Sequence, residues 1–127
     1  MSGHHIENVG QLAIAVSDLK PAVEFYRDIL GLRLLFEAPP GLAFFDCGGT
    51  RMMVTTPQGD EADHHTSVIY YRVSDLPASV EDLRNRGVSF ERGAELVARM
   101  DDHELWMAFL RDPDRNLIGL MSEVPLE

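Results

Sequence analysis

The chain has little with which to cross-link itself, bind polyanions or enter a bilayer. Its 127 residues include one cysteine, Cys47, so an internal disulfide is impossible, and such thiol usage fits a reducing cytoplasm. Cys47 follows Phe44-Phe45-Asp46 in a strand-like run, which predicts a small buried thiol rather than a reactive one. Cations are scarce, with 11 Lys and Arg against 21 Asp and Glu and a formal net charge of -10. Phosphate backbones and anionic lipids need clustered Lys and Arg, so the expectation is no nucleic-acid and no membrane partner. The acidic excess reads as a solvated surface. No apolar run approaches the ~20 residues of a membrane helix. The opening MSGHHIENVG has neither the basic region nor the apolar segment of a secretory signal, and its His4 and His5 are given no metal role. Low-complexity tracts, a phosphate loop and a recognisable nucleophile–base pair are also missing.

What is present is a repeat. Hydrophobic residues make up 45% of the chain, ordinary for a folded protein. At this length roughly two-thirds of the unfolded surface can be buried, in one domain or in two small modules sharing a core. The first VSDL opens VSDLKPAVEFYR (from Val16) and the second opens VSDLPASVEDLR (from Val73). Seven of the twelve positions coincide without a gap, and a glycine follows each copy, Gly31 and Gly87. The segments before them, QLAIA and VIYYR, both read as short strands. A unit that supplies one strand and one helix, met twice, indicates a duplicated supersecondary module.

Each copy is predicted to continue in the same way. In the first, Gln11–Val16 forms a strand, Ser17 or Asp18 caps a helix with Pro21 in its first turn, and Gly31 ends it. Ala22, Phe25, Tyr26, Ile29 and Leu30 recur at helical spacing on its buried side. Strands over Leu32–Glu37, Leu42–Cys47 and Arg51–Thr56 follow, the last two as a hairpin across Gly48-Gly49. The second copy has a strand over Ser67–Val73, a helix from Pro77 to Arg86, a short strand Val88–Glu91, and a hairpin of Glu104–Arg111 with Asn116–Ser122. Arg92–His103 reads as a long loop over a binding site. The modules span about 8–56 and 67–123, joined by the polar, turn-rich linker 57–66.

The two β-α-β-β-β modules, the strand-DL-helix opening, FYRDILGL and the late DPDRN hairpin resemble the vicinal oxygen chelate superfamily. That group includes glyoxalase I, extradiol dioxygenases and bleomycin-binding proteins. The resemblance covers nearly the whole chain. It implies an α+β fold in which two tandem βαβββ modules form a curved mixed sheet around a cup, as a single domain over 1–127, and it implies a homodimer. Its enzymes hold a divalent metal at four inward positions, one on the first and one on the last strand of each module. The VSDL anchors and the hairpins place Gln11, Val68, Met53 and Gly119 there. Of these only Gln11 offers a usable donor, because Met53 is a soft thioether and Val68 and Gly119 carry none. The expectation is no metal cofactor. The alternative is a displaced divalent metal held by His64, His103 and Glu104 at the mouth of the cup.

Strand alternation puts Leu12, Ile14 and Val16 toward the helix and Gln11, Ala13 and Ala15 toward the cup, with Val68, Tyr70 and Arg72 inward by the same parity. The expected lining is Gln11, Arg51, Met53, Thr55, Val68, Tyr70, Arg72, Trp106, Leu117, Gly119 and Met121, while Met52, Met107 and Phe109 are assigned to the core. Such a pocket, apolar with a few convergent polar groups, suits a small molecule. Arg51 or Arg72 would either grip a carboxylate or phosphate through a bidentate pair or be tied to an acid of the chain itself. The leading expectation is a metal-independent binder of a small, partly apolar anion, anchored by Arg72. Two enzymes are the alternatives: a glyoxalase- or dioxygenase-like one with a displaced metal, and a metal-free one in which Tyr70, Arg72 or Glu104 moves protons.

Overall fold

The computed structural model describes residues 8–56 and 67–126. The chain is α+β and divides into two compact units at Thr66/Ser67, each a βαβββ module with its own four-stranded sheet. In the first unit β1 (Gln11–Ala15), α1 (Leu19–Glu24), β2 (Arg33–Ala38), β3 (Leu42–Cys47) and β4 (Thr50–Thr55) give the sheet order β1-β4-β3-β2. In the second, β5 (Ile69–Arg72), α2 (Leu76–Asn85), β6 (Phe90–Arg99), β7 (His103–Arg111) and β8 (Leu117–Pro125) give β5-β8-β7-β6. The first strand of each unit runs parallel to the last, and the other pairs are antiparallel.

One face of each sheet is closed by its helix. In the first unit Ile14, Val16, Ala43, Phe45, Met52 and Val54 are buried against Ala22, Val23, Phe25 and Tyr26. In the second, Ala108, Leu110, Ile118 and Leu120 are buried with Leu76, Val80 and Leu83. Truncating a fully enclosed ring such as Phe45 costs about 3–5 kcal/mol through lost transfer energy and the cavity left behind. No helix among the described residues is long and apolar enough to cross a membrane.

The helices begin alike and end differently. Asp18 and Asp75 are both extended N-caps, and the Asp75 side chain accepts a hydrogen bond from Ala78 N at 3.1 Å. Thirteen positions separate Asp18 from Gly31, but twelve separate Asp75 from Gly87. The first unit absorbs its extra residue in a π-helical turn, Phe25–Ile29, where Leu30 N donates to Phe25 O at 2.9 Å. Both glycines then leave their helices at positive φ, 81° and 94°, conformations a side chain would strain.

The structure corrects the reading of Arg92–His103 as a loop and of Val88–Glu91 as a complete strand. Phe90–Arg99 is one long edge strand whose pairing with β7 shifts register three times. Its side chains lack strict alternation because each shift turns the strand over, so the pattern that marks a strand is erased although the backbone ladder persists. The linker 57–66 lies outside the described residues.

Candidate functional site

The face of each sheet away from its helix is open. Across the second sheet one row of paired residues crosses all four strands: Tyr70 on β5, Gly119 on β8, Phe109 on β7 and Arg92 on β6. The equivalent row of the first sheet is Ala13, Met53, Phe44 and Phe36. The repeat extends to irregularities, since the register shift between Leu34 and Phe36 recurs between Phe90 and Arg92. In each case the extra residue re-aims the side chain that follows it, bringing Phe36 and Arg92 onto the open face.

The two rows distribute bulk oppositely. In the first unit Ala13 is small and Met53 large; in the second Tyr70 is large and Gly119 has no side chain. A Cβ at Gly119 would collide with the Tyr70 ring at Cδ2 and Cε2. The ring therefore lies over β8 in the space a side chain at 119 would take. This lean lets Tyr70 meet Phe109, two strand spacings or about 10 Å away along the sheet, with ring centroids 5.9 Å apart and planes at 81°. An edge-to-face pair of this kind is worth about 0.5–1.5 kcal/mol beyond burial.

Beside this pair lies a groove of about 440 Å³ lined by Tyr70, Glu91, Arg92, Phe109, Arg111 and Leu117. Its two arginines differ. Arg111 Nε donates to Glu91 Oε1 at 2.7 Å and one terminal nitrogen donates to Arg115 O at 2.9 Å, so this guanidinium is held. The hydrogen bond from Arg111, then its charge, keeps the Glu91 carboxyl below the usual carboxylate range. Arg92 is exposed and has no carboxylate partner among the described residues.

The first unit's open face carries a different set. Phe36 stacks on Phe44 with centroids 4.6 Å apart, and the Arg51 guanidinium lies 5.6 Å from the Phe44 centroid. Arg51 Nε donates to Gln11 Oε1 at 2.8 Å, and Gln11 Nε2 approaches Met53 Sδ at 3.7 Å. Arg51 has no carboxylate partner among the described residues. Thr55 is buried on this side, with Oγ1 donating to Thr56 O at 2.9 Å.

Several assignments made from sequence change. Met107 and Phe109, read as core, lie on the open face beside Met121 and Gly119, while Trp106 shares the opposite face with Ala108 and Leu110 and donates to Glu104 at 3.2 Å. The hairpin register decides this, and it differs from the assumed one by a single step. Arg72 faces the open side beside Met121, and 3.4 Å separates it from Glu123, with its side chain 69% exposed. Val68 precedes β5 and is exposed. His103 lies 2.7 Å from Asp102 and 3.7 Å from Glu123, on the face opposite Glu104, so these neighbours do not converge. His64 is outside the described residues. Among the described residues no group of three or more His, Cys, Asp and Glu could hold a metal ion. The sequence reading missed Glu91, Arg92 and Arg111 as groove residues: with Phe109 assigned to the core, alternation carried Arg111 to the wrong face, and no side-chain pattern marked Glu91 and Arg92.

Comparison with known proteins bears on this geometry. A family model described as the Glyoxalase/Bleomycin resistance protein/Dioxygenase superfamily matches residues 8–120. The uncharacterized protein YraH of Bacillus subtilis is 30% identical over 126 residues, covering 87% of this chain and 94% of its own. Among solved structures, a superfamily member from Sphaerobacter thermophilus has a TM-score of 0.77 at 24% identity, covering 93% of this chain and 98% of its own. TnmS3, an antibiotic binding protein from Streptomyces, has a TM-score of 0.70 at 24% identity, covering 93% and 97%. At these identities the two structures establish a shared fold.

Proposed function

The chain belongs to the Glyoxalase/Bleomycin resistance protein/Dioxygenase superfamily, and from that premise we propose that it binds a small, partly apolar anion without a metal. The bound compound lies in the groove on the open face of the second unit. The observation that carries this reading is the row Tyr70–Gly119–Phe109–Arg92, an aromatic floor that ends in a guanidinium with no carboxylate of the described chain to pair with. Tyr70, Phe109 and Leu117 give the groove an apolar side and Glu91, Arg92 and Arg111 a charged one, a mixture that suits an apolar body bearing an anionic group, and its volume falls within the range of small-molecule sites. TnmS3 has the same fold and is an antibiotic binding protein, which agrees with binding as the activity.

The donor chemistry supports the absence of a metal at the superfamily's usual positions. Gln11 Oε1 is occupied by Arg51, Met53 presents a thioether, Val68 an alkyl group, and the space at Gly119 is filled by Tyr70. These residues do not fit a hard or borderline divalent ion.

The anchor assigned from sequence shifts from Arg72 to Arg92, because Arg72 already faces Glu123. Arg92 is exposed, so a charge pair with a carboxylate there is worth about 1 kcal/mol or less. A thermal-shift screen of small organic acids should therefore stabilise wild type and Arg72→Ala, and fail with Arg92→Ala. If no acid raises the Tm of wild type more than that of Arg92→Ala, the reading is wrong.

A further inference from the structure

We infer that the groove selects a flat, singly charged acid, and that Gly119 sets this selection by seating the Tyr70 ring. The inference rests on the ligand-binding reading above and names the class of compound. Charge comes first. Among the six lining residues, Arg111 is matched by Glu91 at 2.7 Å, which leaves the Arg92 guanidinium as the lining charge without a partner among the described residues. Glu91 also faces Arg115 at 3.7 Å, but that cation lies outside the lining, so the lining itself carries two arginines against one carboxylate and suits a monoanion held at Arg92.

Shape follows from Gly119. Tyr70 is 45% exposed although its ring lies down on β8. One face of the ring is seated on the Gly119 backbone and the other is open, with the Phe109 ring set nearly perpendicular at its side. A flat conjugated body lies on such a face by offset stacking, whereas a puckered saturated ring of equal size meets it at fewer points. From Gly119 to Arg92 is two strand spacings, about 10 Å, enough for a bicyclic ring with a carboxylate at its far end. The equivalent row in the first unit has Met53 in place of Gly119 and Phe36 in place of Arg92, so the seat is not repeated there, and the cation of that face, Arg51, is instead held by Gln11 and lies against the Phe44 ring.

Any side chain at 119 lifts the ring from its seat. Gly119 is thus a positioning residue that acts through Tyr70, and its effect should vanish when the ring is gone. The probes are 2-naphthoate, its saturated counterpart decahydro-2-naphthoate, and the neutral 2-naphthamide, titrated by NMR. Wild type should bind naphthoate about fivefold more tightly than the saturated acid, the order expected of one aromatic contact, and the amide about threefold to fivefold more weakly than naphthoate, the order expected of one exposed charge pair. Tyr70→Leu should erase the preference for the flat acid and keep the preference for an acid over the amide. Arg92→Gln should do the reverse. Gly119→Ala should lose the flat-acid preference, and Gly119→Ala with Tyr70→Leu should bind no worse than Tyr70→Leu alone. Equal affinity of wild type for the two acids overturns this inference and leaves the anion-binding reading intact. So does a flat-acid preference that survives in Tyr70→Leu, a variant at an exposed position that keeps the test independent of how Gly119→Ala folds. Failure of all three probes to bind at millimolar concentration overturns both.

Discussion

Arg92 and Arg111 lie in the same groove and differ only in what faces them. Arg111 lowers the Glu91 carboxyl by hydrogen bonding and by charge, so the folded state holds this carboxyl ionised more strongly than the unfolded chain does. A depressed carboxyl contributes stability above its unfolded value, and that contribution disappears as pH falls through the folded one. In an NMR titration the Glu91 midpoint should move up in Arg111→Gln, and Glu91→Gln should flatten the acid limb of the stability profile. A Glu91 midpoint unchanged by the loss of Arg111 would show that the pair does not persist in solution. At Cys47 burial, followed by the neighbouring Asp46, raises the thiol above its ordinary value, so little thiolate exists at neutral pH. Cys47 should react with an aromatic disulfide reagent more slowly than free cysteine at pH 7.5. Asp46→Asn should recover only a minor part of the difference, since burial is the larger cause.

At the scale of elements, duplication explains both the likeness and the mismatch of the modules. The π-helical turn Phe25–Ile29 carries the one residue that the second copy lacks. Asp28 is exposed and held mainly by its neighbour Arg27, at 2.7 Å. Deleting Asp28 should convert the turn into the plain helix end of the second copy, leaving Gly31 to end it. The variant should remain folded, with a Tm within roughly 4 °C of wild type, the shift expected for about 1 kcal/mol in a chain of this size. Loss of the cooperative transition would mean that the turn is a requirement of the packing around Tyr26 and not a tolerated insertion. Strand β6 makes the complementary point. Its register shifts break the side-chain pattern yet deliver Arg92 to the groove, so an irregularity there aims a binding residue.

For the whole molecule, the family resemblance implies a homodimer and the proposed function needs no bound metal. Both statements are open to direct measurement on untagged protein. Sedimentation should give twice the mass of the 14.2 kDa chain, and elemental analysis should return far less than one Zn, Mn, Fe, Ni or Mg per chain. About one tightly held metal per chain, lost on substituting His64 or Glu104, would favour the enzyme with displaced ligands instead. Gln11→Ala should alter neither metal content nor stability appreciably, because it removes one exposed hydrogen bond to Arg51.

The duplicated strand-helix plan, a first helix capped at Ser17 or Asp18, and the buried sets Ile14, Val16 and Ala22, Phe25, Tyr26 were legible in the order of the amino acids alone. These follow from local periodicity: side chains two apart on a strand, or three and four apart on a helix, must share a face whatever the rest of the chain does. The glycines after the helices were legible for the same reason, as breaks in that periodicity. Which face of a strand meets which partner depends instead on contacts between segments distant in the chain. Phe109 points to the open face and Trp106 to the opposite one because the hairpin register is one step from the assumed one, and a single step exchanges the two faces of a strand. Strand β6 exists through its backbone ladder with β7, which no run of side chains announces. The seat of Tyr70 on Gly119 joins residues nearly fifty positions apart. A missing side chain reveals nothing about what fills its space until the neighbouring strand is in place.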